Sequence, residues 1–137
     1  MNNQTFIDTN ILLYSVDPSD PKKRNKARLA LKKLLDAGDG VISAQVAQEF
    51  FVIATKKLKI TAQSARQILE RLEIFRFASI DMTVIQEAVD CSVMSQISFW
   101  DALIVTTARS VGCKQVLTED LNHLQLIRGV RIVNPFV

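Results

Sequence analysis

Apolar runs of strand length alternate along this chain with segments whose apolar residues recur every three or four positions. That is the pattern of an α/β fold, a parallel sheet covered by helices on both faces. The runs at residues 5–7, 41–43, 77–80, 114–117 and 130–133 predict a central parallel sheet of about five strands. After the first run, Ile11, Leu12, Leu13 and Tyr14 predict a short helix stopped by the breaker Asp17, Pro18, Ser19, Asp20 and Pro21. A second helix, with Ala27, Ala30, Leu31 and Leu34 at helical spacing, runs on to Gly38, Asp39 and Gly40. Helices are expected at residues 44–58 and 62–74, the latter opened by Thr61 and carrying Ala65, Ile68, Leu69 and Leu72 on one face. Asp81 caps a helix carrying Ile85, Ala88 and Val89, and Ser98 caps another that ends near Gly112. With no repeat, linker or low-complexity segment, residues 1–137 read as one domain.

Composition narrows the class. At 137 residues and 48% hydrophobic content the chain can build its own core without disulfides or a structural metal. It has no run of 18 apolar residues, and Met1, Asn2, Asn3 and Gln4 lack the features of a secretory signal, so a cytoplasmic protein with no membrane partner is expected. Cys91 and Cys113 are far apart, with only His123 as a conceivable companion, which argues against both a disulfide framework and a zinc site. They read as buried thiols, and His123 as an exposed structural residue. The net charge of +3 is uneven: Lys22, Lys23, Arg24, Lys26, Arg28, Lys32 and Lys33 put seven positive charges and no acid in one stretch, leaving −4 for the remainder. That stripe is either a solvated helix face or a guide for a polyanion, with Lys22, Lys23 and Arg24 the candidate contacts.

The chemistry is carried by Asp8, Glu49, Asp101 and Asp120. Asp8 and Asp120 follow strand-like runs, at the carboxyl edge where ligands collect in open α/β sheets. Asp8 alone fits a turn or helix cap, and Asp101 has capping-box spacing to Ser98 and a first-turn position that the helix dipole favours. The positions that follow Asp101 on its helix, Ile104, Val105 and Ala108, are nevertheless apolar, which aims it at core or cleft. Glu49 is the most telling: Val46, Val52 and Ile53 surround it at helical spacing, and no Lys or Arg lies within one turn. A buried, unpaired carboxylate costs at least several kcal/mol, so it needs a cation, strong hydrogen bonds or protonation. Glu119, beside Asp120, competes for the role of fourth acid. Carboxylates converging on one cleft repel one another, and a hard cation such as Mg²⁺ or Mn²⁺ resolves the conflict. Asp8 and Asp101 are the expected direct ligands, with Asn10 and Thr118 orienting them.

These residues resemble the PIN-domain ribonucleases, and among them toxins of the VapC type. The likeness runs the length of the chain, through Phe6 to Leu12, the helix with Glu49, the segment from Ser98 to Ile104, and Leu117 to Leu121. It implies that Asp8, Glu49, Asp101 and a late acid form a metal-binding cluster. It also implies a central parallel sheet, a homodimer, an RNA substrate, and a small antitoxin that wraps the dimer and blocks its active site. The chemistry that suits such a cluster is metal-assisted hydrolysis of a phosphodiester. Two alternatives stand beside it. One is a binding module without catalysis on the same fold. The other is an aspartyl-phosphatase or receiver domain; the first conflicts with Asn10 at the place of a second acid, and the second finds no convincing acid at Ser79, Ile80 and Asp81 and no convincing lysine around Val116.

Overall fold

The computed structural model describes residues 3–137; Met1 and Asn2, the first half of the segment read for a secretory signal, lie outside the described residues. The chain runs β1 (Thr5–Ile7), α1 (Thr9–Ser15), α2 (Pro21–Ala37), β2 (Gly40–Ser43), α3 (Ala44–Lys56), α4 (Ala62–Arg71) and a 3-10 turn (Leu72–Ile74). It continues through β3 (Arg76–Ala78), α5 (Met82–Ser95), α6 (Phe99–Ser110), β4 (Gln115–Leu117), β5 (Leu126–Ile127) and β6 (Val130–Val133). The caps follow the signals in the sequence. Asp20 accepts from the Lys23 N–H with Pro21 opening α2, Thr61 caps α4, Asp81 caps α5 and Ser98 caps α6. Gly38, at φ +71°, ends α2 in the left-handed conformation that glycine adopts without strain.

The sheet has the order β3-β2-β1-β4-β6-β5. Every pairing is parallel except β5 with β6. Strands β1 and β2 are buried end to end, as expected of a sheet with helices on both faces. Steps from β1 to β2 and from β2 to β3 run in one direction, and the step from β3 to β4 runs back. Right-handed crossovers therefore put α2, α3 and α4 on one face and α5 and α6 on the other. Phe6, Ile7, Val41 and Val116 are wholly buried between the layers, with Phe50 from one helical layer and Val105 from the other.

Three local differences from the sequence expectation have physical causes. A sixth strand, β5, is present: two residues form a hairpin with β6 through Arg128 and Gly129, both at positive φ, and so short a strand leaves no alternation to read. The third strand is Arg76–Ala78 rather than 77–80, and as an edge strand it leaves Phe77 57% exposed. On α5 the buried face is Val84, Ala88 and Cys91, so Val89 points outward instead of toward the core. Cys91 and Cys113 are free and buried, and exposed His123 accepts at Nδ1 from the Asn134 N–H. Among the described residues no single helix is long and apolar enough to cross a membrane.

Candidate metal centre

The strand order reverses between β1 and β4, and such a switch point opens a crevice at the strands' carboxyl ends. The Asp8 N–H donates to the Leu117 carbonyl at 3.0 Å, extending the β1–β4 ladder by one rung and setting Asp8 beside Thr118. Asp8 is 6% exposed. Its Oδ1 caps α1 by accepting from the Thr9 N–H at 2.7 Å, and its Oδ2 accepts from the Thr118 hydroxyl at 2.7 Å. Burial pushes its pKa up to about 6 against those two hydrogen bonds, and the charges of Asp120 and Glu49 push it further the same way.

Asp101 reaches the crevice from the first turn of α6, whose start Ser98 fixes by accepting the Asp101 N–H at 3.1 Å. Its pKa is also raised, by burial first and by Asp120 after it, with Ser98 opposing. Asp120, in the loop after β4, is positioned by its N–H donating to the Thr118 hydroxyl at 3.1 Å and by the Asn10 Nδ2 donating to its Oδ2 at 2.9 Å. One carboxylate oxygen from each of Asp8, Asp101 and Asp120 lies within 4.8 Å of the others. Glu49 lines the same cleft of about 150 Å³, and its Oε1 accepts from the Thr9 hydroxyl at 2.9 Å, but it stands outside the group of three. Of the apolar neighbours read around it, Val46 is buried and Val52 is exposed. No ion pair among the described residues involves any of these four acids.

Glu119 turns the other way. Its Oε1 accepts from the Tyr14 hydroxyl at 2.7 Å and its Oε2 pairs with the Lys23 ammonium at 2.8 Å. The geometry therefore brings Asp120, not Glu119, to Asp8 and Asp101. It also occupies Lys23, leaving Lys22 exposed and Arg24 half-buried on the basic helix.

Thr9, whose hydroxyl holds Glu49, escaped the sequence reading, and so did two further cleft residues. Gln45 is buried, lines the cleft, and leaves its Oε1 without a partner; its signal was its place one turn before Glu49 on the same face. Trp100, beside Asp101, lines the cleft while 61% exposed, its ring set edge-on to Phe99. The buried Asn10 Oδ1 is likewise unpartnered, although its amide nitrogen bridges Thr118 and Asp120. Three carboxylates without a cation, two unpartnered amide oxygens and neither His nor Cys form an all-oxygen donor set, which fits a hard divalent ion such as Mg²⁺ or Mn²⁺.

Comparison with known proteins agrees with this architecture. A family model for the PIN domain matches residues 5–128. Among solved structures, a toxin–antitoxin complex from Klebsiella pneumoniae is similar with a TM-score of 0.75 at 23% identity, over 96% of this chain and 98% of that one. The sarcin–ricin-loop-cleaving toxin VapC20 of Mycobacterium tuberculosis superimposes with a TM-score of 0.66 at 18% identity, over 82% and 87% of the two chains. VapBC2 from Rickettsia felis, bound to a DNA fragment from its promoter, gives 0.67 at 18% identity over 93% and 96%. No curated protein matches the chain in sequence.

Proposed function

The chain belongs to the PIN-domain family, and from that premise we propose that it is a metal-dependent endoribonuclease, the toxin of a type II toxin–antitoxin pair. The observation that carries the reading is the convergence of Asp8, Asp101 and Asp120 within 4.8 Å with no ion pair to balance them among the described residues. Asp8 and Asp101 would hold Mg²⁺ or Mn²⁺ directly, with Asp120 beside them. Bound there, such an ion would supply the Lewis acidity that hydrolysis of a phosphodiester by water requires.

The protein's own part is orientation. Thr118 donates to Asp8 Oδ2 and Asn10 to Asp120 Oδ2, which fixes the lone pairs these carboxylates present to the cleft. Thr9 does the same for Glu49 Oε1. Glu49 Oε2, free of that bond, would accept a proton from attacking water, a role Asp120 would share. The exposed indole of Trp100 offers a stacking surface for an RNA base at the cleft's rim. Lys22 and Arg24 would add attraction for the RNA backbone, and Lys23 would add less because Glu119 already neutralises it.

Partners follow from the same reading. Solved relatives include toxin–antitoxin complexes, which supports a small antitoxin as partner. The outer face of α5, with Met82, Val89, Val93 and Met94 exposed, suits burial against a second copy of the chain. Light scattering that returns the mass of a single chain at micromolar concentration would exclude that homodimer.

The ribonuclease reading is tested by incubating the purified chain with transfer, ribosomal and messenger RNA, with Mg²⁺ or Mn²⁺ and with chelator, beside Asp101→Asn. Discrete products that require both metal and Asp101 are expected. Products that persist in the variant would assign the cutting to a contaminant. Intact metal binding without cleavage of any RNA would favour a binding module.

A further inference from the structure

A second pocket of about 200 Å³ adjoins the acidic cleft and shares Asn10, Leu13 and Ile53 with it as common walls. Helical geometry explains why the two form one groove. Gln45, Glu49, Ile53 and Lys57 stand four residues apart along α3 and its C-cap, on a single face. Asn10, Leu13, Tyr14 and Asp17 make the facing row on α1 and the turn after it. Along this groove the chemistry changes. The cleft end is acidic, the middle is floored by Leu13, Ile53 and Leu58, and the far end carries Lys57, about 12 Å beyond Glu49 along the helix axis at 1.5 Å per residue.

The wall is held in place before any ligand arrives. Tyr14 donates to Glu119, packs edge-on against Phe136 with centroids 5.0 Å apart, and has the Lys23 ammonium 4.6 Å from its ring centroid. Each Glu119 oxygen has its own donor, so that acid is already satisfied. Asp17 is not. Its Oδ1 takes both the N–H and the hydroxyl of Ser19, and its Oδ2 has no hydrogen bond among the described residues. Lys57 is exposed and makes no ion pair among the described residues.

We propose that this pocket is a base-reading subsite for the RNA nucleotide next to the cleaved phosphate, with Asp17 selecting a base that carries an exocyclic amine and Lys57 holding a neighbouring phosphate. An apolar floor beside an aromatic wall suits the flat faces of an unstacked base, which is how single-stranded RNA is generally read. A free carboxylate oxygen accepts from the exocyclic amine of cytosine, adenine or guanine, whereas uracil has no such amine and offers only its ring N3–H, flanked by two carbonyls that the carboxylate repels. A cation at the far end suits the next phosphate along the strand. The substrate class rests on the ribonuclease reading; the pocket and its base preference do not require cleavage.

The test is therefore made without metal. The full chain, labelled with ¹⁵N, is titrated with the four ribonucleoside 5′-monophosphates and followed by amide chemical shifts. Shifts at Leu13, Ile53, Lys57 and Leu58 are expected, with the amine-bearing nucleotides bound about tenfold more tightly than uridine monophosphate. Asp17→Asn, which puts a donor beside the acceptor, should bring uridine level with the others. Lys57→Ala should weaken all four alike. Uridine bound as well as cytidine by the parent chain, or shifts that spare these residues, would overturn the subsite. RNA cleavage with a silent pocket would remove the subsite and leave the nuclease. Base-selective binding in a chain that cuts no RNA would keep the subsite and remove the nuclease.

Discussion

Glu119 and Asp120 are neighbours in the chain and opposites in the fold. Glu119 is matched oxygen for oxygen by Tyr14 and Lys23, and that small cluster is electrically complete. Asp120 joins Asp8 and Asp101, where burial raises the cost of ionising those two carboxyls and the charge of Asp120 adds to it. The same functional group thus serves two purposes a residue apart. In one region a carboxylate is neutralised and fastens α1, α2 and the loop after β4 together. In the other, repulsion is left standing, which destabilises the protein alone and favours whatever cation arrives.

The comparison breaks most sharply on activity. Removing a cluster acid, as in Asp8→Asn, is expected to lower metal-dependent RNA cleavage by more than about 100-fold, beyond the usual loss for residues that merely orient ligands. Glu119→Gln should lose less than about tenfold, because it disturbs a wall rather than the ion. Initial rates at saturating Mg²⁺ decide it, and equal losses would place Glu119 in the metal site.

Acid titration sharpens the contrast next. Asp8 has its folded pKa raised to about 6 from an ordinary 3.8. A raised carboxylate binds its proton more tightly when folded. Its contribution to stability is therefore fully present below about pH 4 and is lost as pH rises through 6. The metal-free protein should lose of the order of 2–3 kcal/mol from this group over that window, as read by urea melts. Asp8→Asn should flatten the profile, and saturating Mg²⁺ should reverse its slope, since the ion binds the ionised, folded form. Lys23 behaves in the opposite region of pH. Glu119 first and Tyr14 second hold its pKa up to about 12, so the lysine itself keeps its charge across the whole window in which Asp8 titrates. A chelated protein with a flat profile from pH 4 to 7 would contradict the strained cleft.

How much of this could be read from the residues depended on whether a local pattern or a distant contact decides. Asp8 and Thr118 end strands, Asp101 opens a helix over an apolar stripe, and Glu49 faces Val46 without a nearby cation; each is a local signal that the switch point gathers up. The choice between Glu119 and Asp120 was not local. It turns on Tyr14 and Lys23, 105 and 96 residues away, and hence on how α1 and α2 dock beside the loop after β4. Gln45 gave only its spacing from Glu49, and β5 was too short for any period. The antiparallel edge was lost for a second reason: its two-residue turn at Arg128 and Gly129 lacks the Asn or Asp that usually marks such a hairpin.

The smallest effect tests the completed side of the comparison. Lys23 is about one-third exposed, so its ion pair with Glu119 is screened and its net worth is modest. Lys23→Met keeps much of the aliphatic packing against Tyr14 and Phe136 while removing the charge. The loss expected in urea melts at neutral pH is about 0.5–1.5 kcal/mol, covering the ion pair and the cation–π contact. It should be the same with and without Mg²⁺, because Glu119 neither holds the ion nor reaches those that do. If the loss instead shrank when Mg²⁺ was added, the freed Glu119 carboxylate would have swung into the acidic cleft. The separation of the two acids would then be a product of Lys23 alone, rather than of the backbone path through Thr118, Glu119 and Asp120.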